Sequence, residues 1–196
     1  MFQIDKKFPL FSLEVYWPLK DEVGRLASKN LIGKWTIFLF YPADFTFVCP
    51  TELADLNNLY SEFKKLKAEI VSVSTDTVYT HKAWLEVEKI LSGIKYSMAA
   101  DHNGNFSKEL GIYNEEKGMA ERATFIIDPE GVLRAVDIVS DSIGRSANET
   151  LRKLKALEFV SKNPGKVCPA KWDEDKISLT PSIKKSGKVY KEYEKR

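Results

Sequence analysis

Residues 40–52 read FYPADFTFVCPTE, and this stretch decides how the rest of the chain is interpreted. It continues an apolar run, Trp35–Tyr41, that is typical of a strand buried on both faces. It leads into residues 52–66, where apolar side chains recur at helical spacing. Because proline is favoured at the first helical position, Pro50 places Cys49 at or just before the start of that helix.

A cysteine at a helix N-terminus can be chemically active. The free N–H groups and the positive end of the helix dipole stabilise an anion, and the thiolate is the reactive form of cysteine. The alternative is a buried structural cysteine beside a strand, which is common. The combination of strand, loop, Cys-Pro and helix favours a reactive thiol at Cys49.

Composition limits the classes of function. A chain of 196 residues suits one domain with a sizeable core, and 30 basic against 28 acidic residues argue against a nucleic-acid surface. No apolar run approaches the roughly 20 residues that span a bilayer, so no membrane association is expected. The N-terminus has no apolar signal region, which predicts a cytoplasmic protein. The Lys-rich end, 184–196, is interpreted as a solvated tail.

The chain has two cysteines, Cys49 and Cys168. Two are too few for a disulfide-stapled scaffold or a four-ligand zinc site, and His81 and His102 do not stand at metal spacing relative to them. A distant cytosolic pair is more often catalytic or redox-sensing than structural. Without a Rossmann glycine pattern or a P-loop, no flavin, nicotinamide or metal cofactor is expected.

The remaining periodicity predicts an α/β protein. Residues 1–34 are expected to form a hairpin or edge strands, residues 92–101 a loop, and residues beyond 163 an irregular segment. The order of elements gives a mixed sheet covered by helices. The other predicted strands are 69–75, 123–128 and 132–139, and the other predicted helices are 78–91, 105–110 and 146–161.

Five sequence blocks occur together: FYPADFTFVCPTE, VSTDT with HKAW, ERATFIIDP, IGRS and VCPAKW. With these blocks in this order, the chain resembles the typical two-cysteine peroxiredoxins, in particular the peroxidase subunits of bacterial alkyl hydroperoxide reductases. The resemblance implies a thioredoxin-like fold with N- and C-terminal extensions. It also implies a peroxiredoxin domain over 1–162 and a C-terminal extension over 163–196.

The family's motif Pro-x-x-x-Thr-x-x-Cys corresponds to Pro42, Thr46 and Cys49. The resemblance implies that Cys49 is the thiol oxidised by peroxide and that Pro42 shields it from water. A hydroxyl can accept and donate, so Thr46 is expected to accept from the peroxide while donating to the thiolate. The alternative for Thr46 is a turn or capping residue.

The resemblance also assigns charged residues to the site. Arg122, in ERATF, corresponds to the family's catalytic arginine, which lies against the thiolate and stabilises charge in the transition state. Glu52 corresponds to the carboxylate that orients arginines, and Arg145 is a candidate second arginine of that network. Their alternatives are a surface charge for Arg122, ordinary first-turn helix chemistry for Glu52, and a charge beside a helix start for Arg145. Trp84, Phe45 and Phe47 are interpreted as core or interface aromatics.

Cys168 corresponds to the family's resolving cysteine, with an incidental tail cysteine as the alternative. The resemblance implies hydrogen peroxide and alkyl hydroperoxides as substrates. It implies an intersubunit Cys49–Cys168 disulfide in a homodimer and assembly into a ring-shaped decamer. The electron donor stays open between thioredoxin, a thioredoxin-like protein and a flavoprotein disulfide reductase.

Two other functions compete with the peroxidase. One is a holdase chaperone or peroxide sensor that passes oxidation to partner proteins. The other is a disulfide oxidoreductase, which is disfavoured because Cys49 to Glu52 reads CPTE and lacks the second cysteine of a Cys-x-x-Cys motif. Easily over-oxidised family members carry a Gly-Gly-Leu-Gly loop and a C-terminal Tyr-Phe pair. Here the loop 91–95 reads LSGIK and no Tyr-Phe occurs, which predicts resistance to over-oxidation.

Overall fold

The computed structural model describes residues 2–193, and within them seven strands form one mixed sheet while two short strands pair separately. The order in the large sheet is β2-β1-β5-β4-β3-β8-β9. The strands are β1 (Ser12–Trp17), β2 (Glu22–Ala27), β3 (Trp35–Phe40), β4 (Ala68–Ser74), β5 (Ser97–Ala100), β6 (Tyr113–Asn114), β7 (Met119–Ala120), β8 (Arg122–Ile127) and β9 (Leu133–Val139).

Helices cover the sheet, as expected for this element order. The helix α3 packs against β1 and β5, and α2 packs against β4. The helices are α1 (Cys49–Asn58), α2 (Tyr60–Lys65), α3 (Val78–Val87), α4 (Asn105–Glu109), α5 (Ala147–Lys162) and α6 (Tyr190–Tyr193), with short 3₁₀ turns at Ser28–Asn30, Lys89–Leu91 and Ile183–Lys185.

The central strand β3 organises the site. All six of its residues are buried, which confirms the prediction of a strand covered on both faces. It runs parallel to β4, with Phe40 opposite Val73, and antiparallel to β8, with Phe40 opposite Ala123. The ends of β3 and β4 and the start of β8 therefore meet at one edge of the sheet, called here the Cys49 edge.

Aromatic side chains dominate the core behind this edge. Phe40 contacts Phe106 and Phe125 with ring centroids 5.6 Å apart in each case, and Phe8 lies 5.6 Å from Phe38. Burial of each such ring stabilises the fold by about 1.5–3 kcal/mol relative to exposure. The sheet is thus rigid where it presents the loop after β3.

The structure confirms the start of α1 at Cys49 and corrects two helix lengths. The helix expected over 52–66 is interrupted at Leu59, whose N–H bonds Leu56 three residues back and closes a tighter turn. The helix expected over 78–91 ends at Val87, because Glu88 adopts an extended backbone (ψ 103°) before a separate 3₁₀ turn.

Strand predictions were right for the long elements and missed the short ones. The N-terminal hairpin is confirmed as β1 and β2. The strand β5 lies inside the predicted loop 92–101, since four residues, SMAA, are too few to show alternation. The predicted irregular segment beyond residue 163 contains a β-bridge between Val167 and Leu179, a 3₁₀ turn and α6.

The chain divides into two compact units, one up to Ala147 and one from Asn148. In the second unit the Trp172 ring packs on Phe159 at 4.8 Å, and Arg152 Nη1 donates to the Trp172 carbonyl at 3.2 Å. The proposed division at 162/163 stays a prediction. Residues 194–196 of the predicted solvated tail lie outside the described residues. Over residues 2–193 no helix combines the length and apolarity needed to cross a membrane.

Candidate active site

Cys49 is the first residue of α1, directly after the loop that leaves β3. Its side chain is buried, Pro50 occupies the first turn, and the preceding Val48 makes no side-chain cap. The positive end of the helix therefore faces the sulfur. Arg122 Nη1 donates to Cys49 Sγ at 3.2 Å. Both features place positive charge beside the sulfur, which is the environment of reactive cysteines.

Strand pairing explains how Arg122 reaches a cysteine 73 residues away in sequence. It is the first residue of β8, and β8 starts at the Cys49 edge because it is antiparallel to β3. Only 3% of Arg122 is exposed, so the alternative of a surface charge is excluded. Burial alone would lower the pKa of Arg122, but the bond to Cys49 and the charges of Cys49, Glu52 and Asp141 outweigh it and raise the pKa. The guanidinium stays charged.

Glu52 lies one turn along α1 and joins both arginines. Its Oε2 accepts from Arg122 Nη1 at 2.8 Å, and its Oε1 accepts from Arg145 Nε at 2.8 Å and from the Arg145 backbone N–H at 2.9 Å. Arg145 also donates to Thr124 Oγ1 at 3.2 Å. A buried carboxylate with this set of donors is fully satisfied, so it fixes both guanidinium groups.

Within the buried part of this cluster positive charge exceeds negative charge, while the partly exposed carboxylate of Asp141 also pairs with Arg122. Two cations, Arg122 and Arg145, face one buried carboxylate, Glu52, and each has a side chain at most 4% exposed. Buried charge is costly unless it is paired. A thiolate on Cys49 would add a second negative charge in the buried part of the cluster, beside Arg122.

Thr46 and Pro42 lie on the loop between β3 and α1, which ends at Cys49. Pro42 is buried and Thr46 is partly buried. The Thr46 hydroxyl donates to the Ala43 carbonyl at 2.8 Å. A hydroxyl has one hydrogen, so the expected donation from Thr46 to the thiolate is not made in this structure. The oxygen lone pairs remain able to accept from a hydroperoxide.

Cys168 has a different environment from Cys49. It lies in the second unit, is partly buried, and points its sulfur at the Ala156 carbonyl 3.8 Å away. Burial raises the pKa of Cys168, and the charge of Arg152 lowers it by less. The group is therefore a thiol at neutral pH.

The loop aromatics separate into two classes. Trp84 is buried, 6.2 Å from Tyr41 and 6.1 Å from Phe45, as expected for a core residue. Phe45 is 54% and Phe47 is 93% exposed, so the core alternative is wrong for both. Their role at an interface stays a prediction.

Sequence reasoning missed two sets of residues at the Cys49 edge. Asp141 holds Arg122 from the side opposite Glu52, through its carbonyl at 2.7 Å from Nε and its carboxylate at 3.3 Å from Nη2. A buried pair of Asp44 and His81 lies under the loop. No periodicity marks these residues, and only the pairing of β8 with β9 and of β3 with β4 brings them to the site. No cluster suited to a metal occurs among residues 2–193.

The sequence of the chain is similar to those of bacterial alkyl hydroperoxide reductase C proteins. The chain is 43% identical over 189 residues to alkyl hydroperoxide reductase C of Staphylococcus epidermidis, covering 96% of this chain and 100% of that protein. It is 45% identical over 168 residues to alkyl hydroperoxide reductase C of Escherichia coli, covering 86% and 90%.

Solved structures confirm the expected thioredoxin-like peroxiredoxin fold. AhpC of Enterococcus faecalis superposes with a TM-score of 0.82 at 44% identity, over 86% of this chain and 100% of that one. The reduced 2-Cys peroxiredoxin of Plasmodium vivax superposes with a TM-score of 0.88 at 31% identity, over 92% and 94%. The model of the AhpC/TSA family matches residues 4–136, which include Cys49, Glu52 and Arg122. This chain belongs to the AhpC/TSA family.

Proposed function

We propose that this chain is a thiol-dependent peroxidase in which Cys49 reduces hydrogen peroxide and alkyl hydroperoxides. The observation that carries the proposal is the 3.2 Å contact of Arg122 Nη1 with the sulfur of a cysteine at a helix start. The Cys49 thiolate attacks the nearer peroxide oxygen and the O–O bond breaks. The leaving oxygen takes a proton, giving an alcohol or water, and the sulfur becomes a sulfenic acid.

The site residues supply what this displacement needs. The Arg122 guanidinium favours the thiolate and stabilises negative charge that develops on the reacting oxygens. Thr46 accepts the hydroperoxide O–H and orients the O–O bond, because much of such a rate comes from orientation. Pro42 donates no backbone hydrogen bond and stiffens the loop. Glu52 and Arg145 hold the guanidinium groups in place.

Cys168 completes the cycle as the resolving thiol. Its sulfur attacks the Cys49 sulfenic acid of the other subunit, forming a disulfide and releasing water. A dithiol protein then reduces the disulfide by exchange, becoming oxidised itself. Thioredoxin, a thioredoxin-like protein and a flavoprotein disulfide reductase are the donor classes to compare. We place the reaction in the cytoplasm, on a homodimer.

Mixed dimers test both cysteine roles at once. Neither the Cys49→Ser nor the Cys168→Ser variant can form the proposed disulfide alone. After the two are mixed, allowed to exchange subunits and treated with peroxide, we expect a cross-linked dimer on a non-reducing gel. Peptide mapping should identify a Cys49–Cys168 link between chains. Absence of the link in the mixture, with a linked wild-type protein, would contradict an intersubunit disulfide.

We also propose that dimers assemble into a ring-shaped decamer through an exposed apolar surface. Phe45, Phe47 and Tyr79 are 54%, 93% and 74% exposed, an unusual amount of aromatic surface at one edge. Light scattering of the reduced protein should give a mass near ten chains. Replacement of Phe47 by Ser should yield dimers, whereas unchanged mass would show that this surface does not build the ring.

Resolution requires local unwinding of α1, because Cys49 is buried at its first residue. The first turn is held by Val48 carbonyl contacts to Thr51 N–H at 3.0 Å and to Glu52 N–H at 3.3 Å. In the disulfide form we expect fast hydrogen exchange in this turn and in residues 163–175, since both must open. Strong protection of both segments after oxidation would argue against unwinding.

Rapid opening also predicts resistance to over-oxidation. The loop 91–95 is hydrogen-bonded to α1 through Asn57, which accepts from the Lys95 N–H and donates to the Gly93 carbonyl, each at 3.1 Å. Asn57 lies more than two turns from Cys49, so this loop does not clamp the first turn. We expect mass spectrometry to show the disulfide, not Cys49 sulfinic acid, after several equivalents of peroxide. Sulfinic acid as the main product would contradict the prediction.

A further inference from the structure

A buried polar pair lies beneath the loop that carries Thr46. The side chains of Asp44 and His81 are both 0% exposed, and His81 Nδ1 lies 2.7 Å from Asp44 Oδ2. Tyr41 Oη donates to the other carboxylate oxygen, Asp44 Oδ1, at 2.7 Å. None of these groups touches the Cys49 sulfur among the described contacts, so the peroxidase chemistry leaves them unexplained.

The protons of the pair follow from its partners. His81 Nε2 lies 3.2 Å from the Ala99 carbonyl, which can only accept, so Nε2 carries a hydrogen. One more proton lies between Nδ1 and Asp44, either as an imidazolium with a carboxylate or as a neutral imidazole with a carboxylic acid. Burial raises the pKa of Asp44 and the bond to His81 lowers it. The pair is electrically neutral in both forms, which permits its complete burial.

The backbone of Asp44 is fixed as firmly as its side chain. Its N–H donates to Asp76 Oδ2 at 2.8 Å, and the same oxygen accepts from Ser74 Oγ at 2.7 Å. Parallel pairing of β3 with β4 places these partners together, because Ser74 ends β4 and Asp76 follows it at the edge where Asp44 follows β3. Asp44 is thus tied to two elements, α3 and the end of β4.

The next residue shows why this anchoring matters. Phe45 has φ +56°, a left-handed conformation that costs a residue other than glycine about 1–2 kcal/mol. Such a conformation persists only where the surroundings over-determine it. It reverses the chain so that the Thr46 hydroxyl reaches back to the Ala43 carbonyl at 2.8 Å. The direction of the Thr46 lone pairs therefore depends on Asp44.

We propose that Asp44 and His81 are a positioning pair for peroxide capture: they hold the turn Ala43–Thr46 so that Thr46 can accept the hydroperoxide O–H. The inference rests on the proposed function, since it assigns a task within that site. Neither residue is catalytic, because neither contacts the reacting atoms. The pair acts on the peroxide and leaves the intrinsic reactivity of the thiolate to Arg122 and the helix.

The test separates peroxide capture from thiol reactivity. In Asp44→Ala we expect the second-order rate with hydrogen peroxide to fall about tenfold or more, as misplaced orienting groups do. The rate of Cys49 alkylation by iodoacetamide, which needs no Thr46, should stay within about threefold of wild type. Asp44→Asn should rescue the peroxide rate. Its amide can donate to His81 Nδ1 and its carbonyl can accept from Tyr41, so both side-chain contacts survive, and the backbone bond to Asp76 does not depend on the side chain.

A double-mutant cycle ties the effect to Thr46. If the pair acts through Thr46, adding Asp44→Ala to Thr46→Val should cause little further loss, whereas independent effects would add. Tyr41→Phe, which removes one bond to Asp44, is a milder second variant should Asp44→Ala unfold. His102→Gln, at an exposed histidine, is the matched control and should change neither rate.

The outcomes distinguish a failure of the positioning role from a failure of the proposed peroxidase function. Three results would each overturn the positioning role. The first is an equal loss of the peroxide and alkylation rates, and the second is a double-mutant cycle whose effects add. The third is an unchanged peroxide rate in both Asp44→Ala and Tyr41→Phe. A wild-type peroxide rate no better than that of a free thiol would instead overturn the proposed function.

Discussion

Replacing Arg122 by Met should slow the reaction of Cys49 with hydrogen peroxide by about 100- to 1,000-fold, the loss typical when one fixed donor to a developing anion is removed. The guanidinium is the group within 3.2 Å of the sulfur, and it carries a charge that the buried site needs. Arg122→Lys should recover only part of the rate. A lysine keeps the charge but cannot bond Cys49, Glu52 and Asp141 at the same time.

Stopped-flow measurement of the reduced protein gives these rates directly. The matched control is Arg25→Met, which removes an exposed arginine bonded to Ser12 and should leave the rate unchanged. A fully active Arg122→Met variant would show that the helix terminus alone activates Cys49. A large loss of rate in Arg122→Met together with an unchanged rate in Arg25→Met would support the assigned role.

Replacing Glu52 by Gln should destabilise the fold by about 3–5 kcal/mol, the cost of breaking a buried ion pair and leaving its partner uncompensated. Here the loss is large because two buried guanidinium groups, Arg122 and Arg145, share the buried carboxylate of Glu52, and the Asp141 carboxylate that would remain is partly exposed and pairs with Arg122. Glutamine keeps the shape of the side chain and one acceptor oxygen, so the change isolates the charge.

Urea denaturation of the reduced protein measures this free energy of unfolding. Glu86→Gln is the control, because the Glu86 side chain is 61% exposed and forms an exposed ion pair with Lys82. Its midpoint should match wild type, since exposed pairs contribute little. Equal midpoints for Glu52→Gln and wild type would mean that the arginines are not held by charge.

The parts of the fold that could be predicted from sequence are those with a local signal. A run of six buried residues identifies β3, and Pro50 with the following periodicity places the start of α1 at Cys49. The four-residue strand β5 has too little sequence for a period to emerge. The break at Leu59 likewise has no glycine or proline to mark it.

The parts of the site that could not be predicted depend on strand pairing. Arg122 meets Cys49 because β8 runs antiparallel to β3, and no property of either segment alone encodes that register. The contact between Cys49 and Arg122 could therefore be predicted only from the family resemblance. Asp44 and His81 lie in two of the sequence blocks, FYPADFTFVCPTE and HKAW, but nothing in either block shows that the two side chains pair, and Asp141 lies in none of the blocks; these contacts are seen only in the assembled sheet.

The most direct test of the central claim is the loss of thiols and the change in tryptophan fluorescence when the reduced protein meets hydrogen peroxide. Wild type, Cys49→Ser and Cys168→Ser are compared by stopped flow. The account predicts a fast phase that is absent only in Cys49→Ser and a slower phase that is lost in Cys168→Ser. A wild-type reaction no faster than that of a free thiol would contradict an activated Cys49 and give first place to the chaperone or sensor.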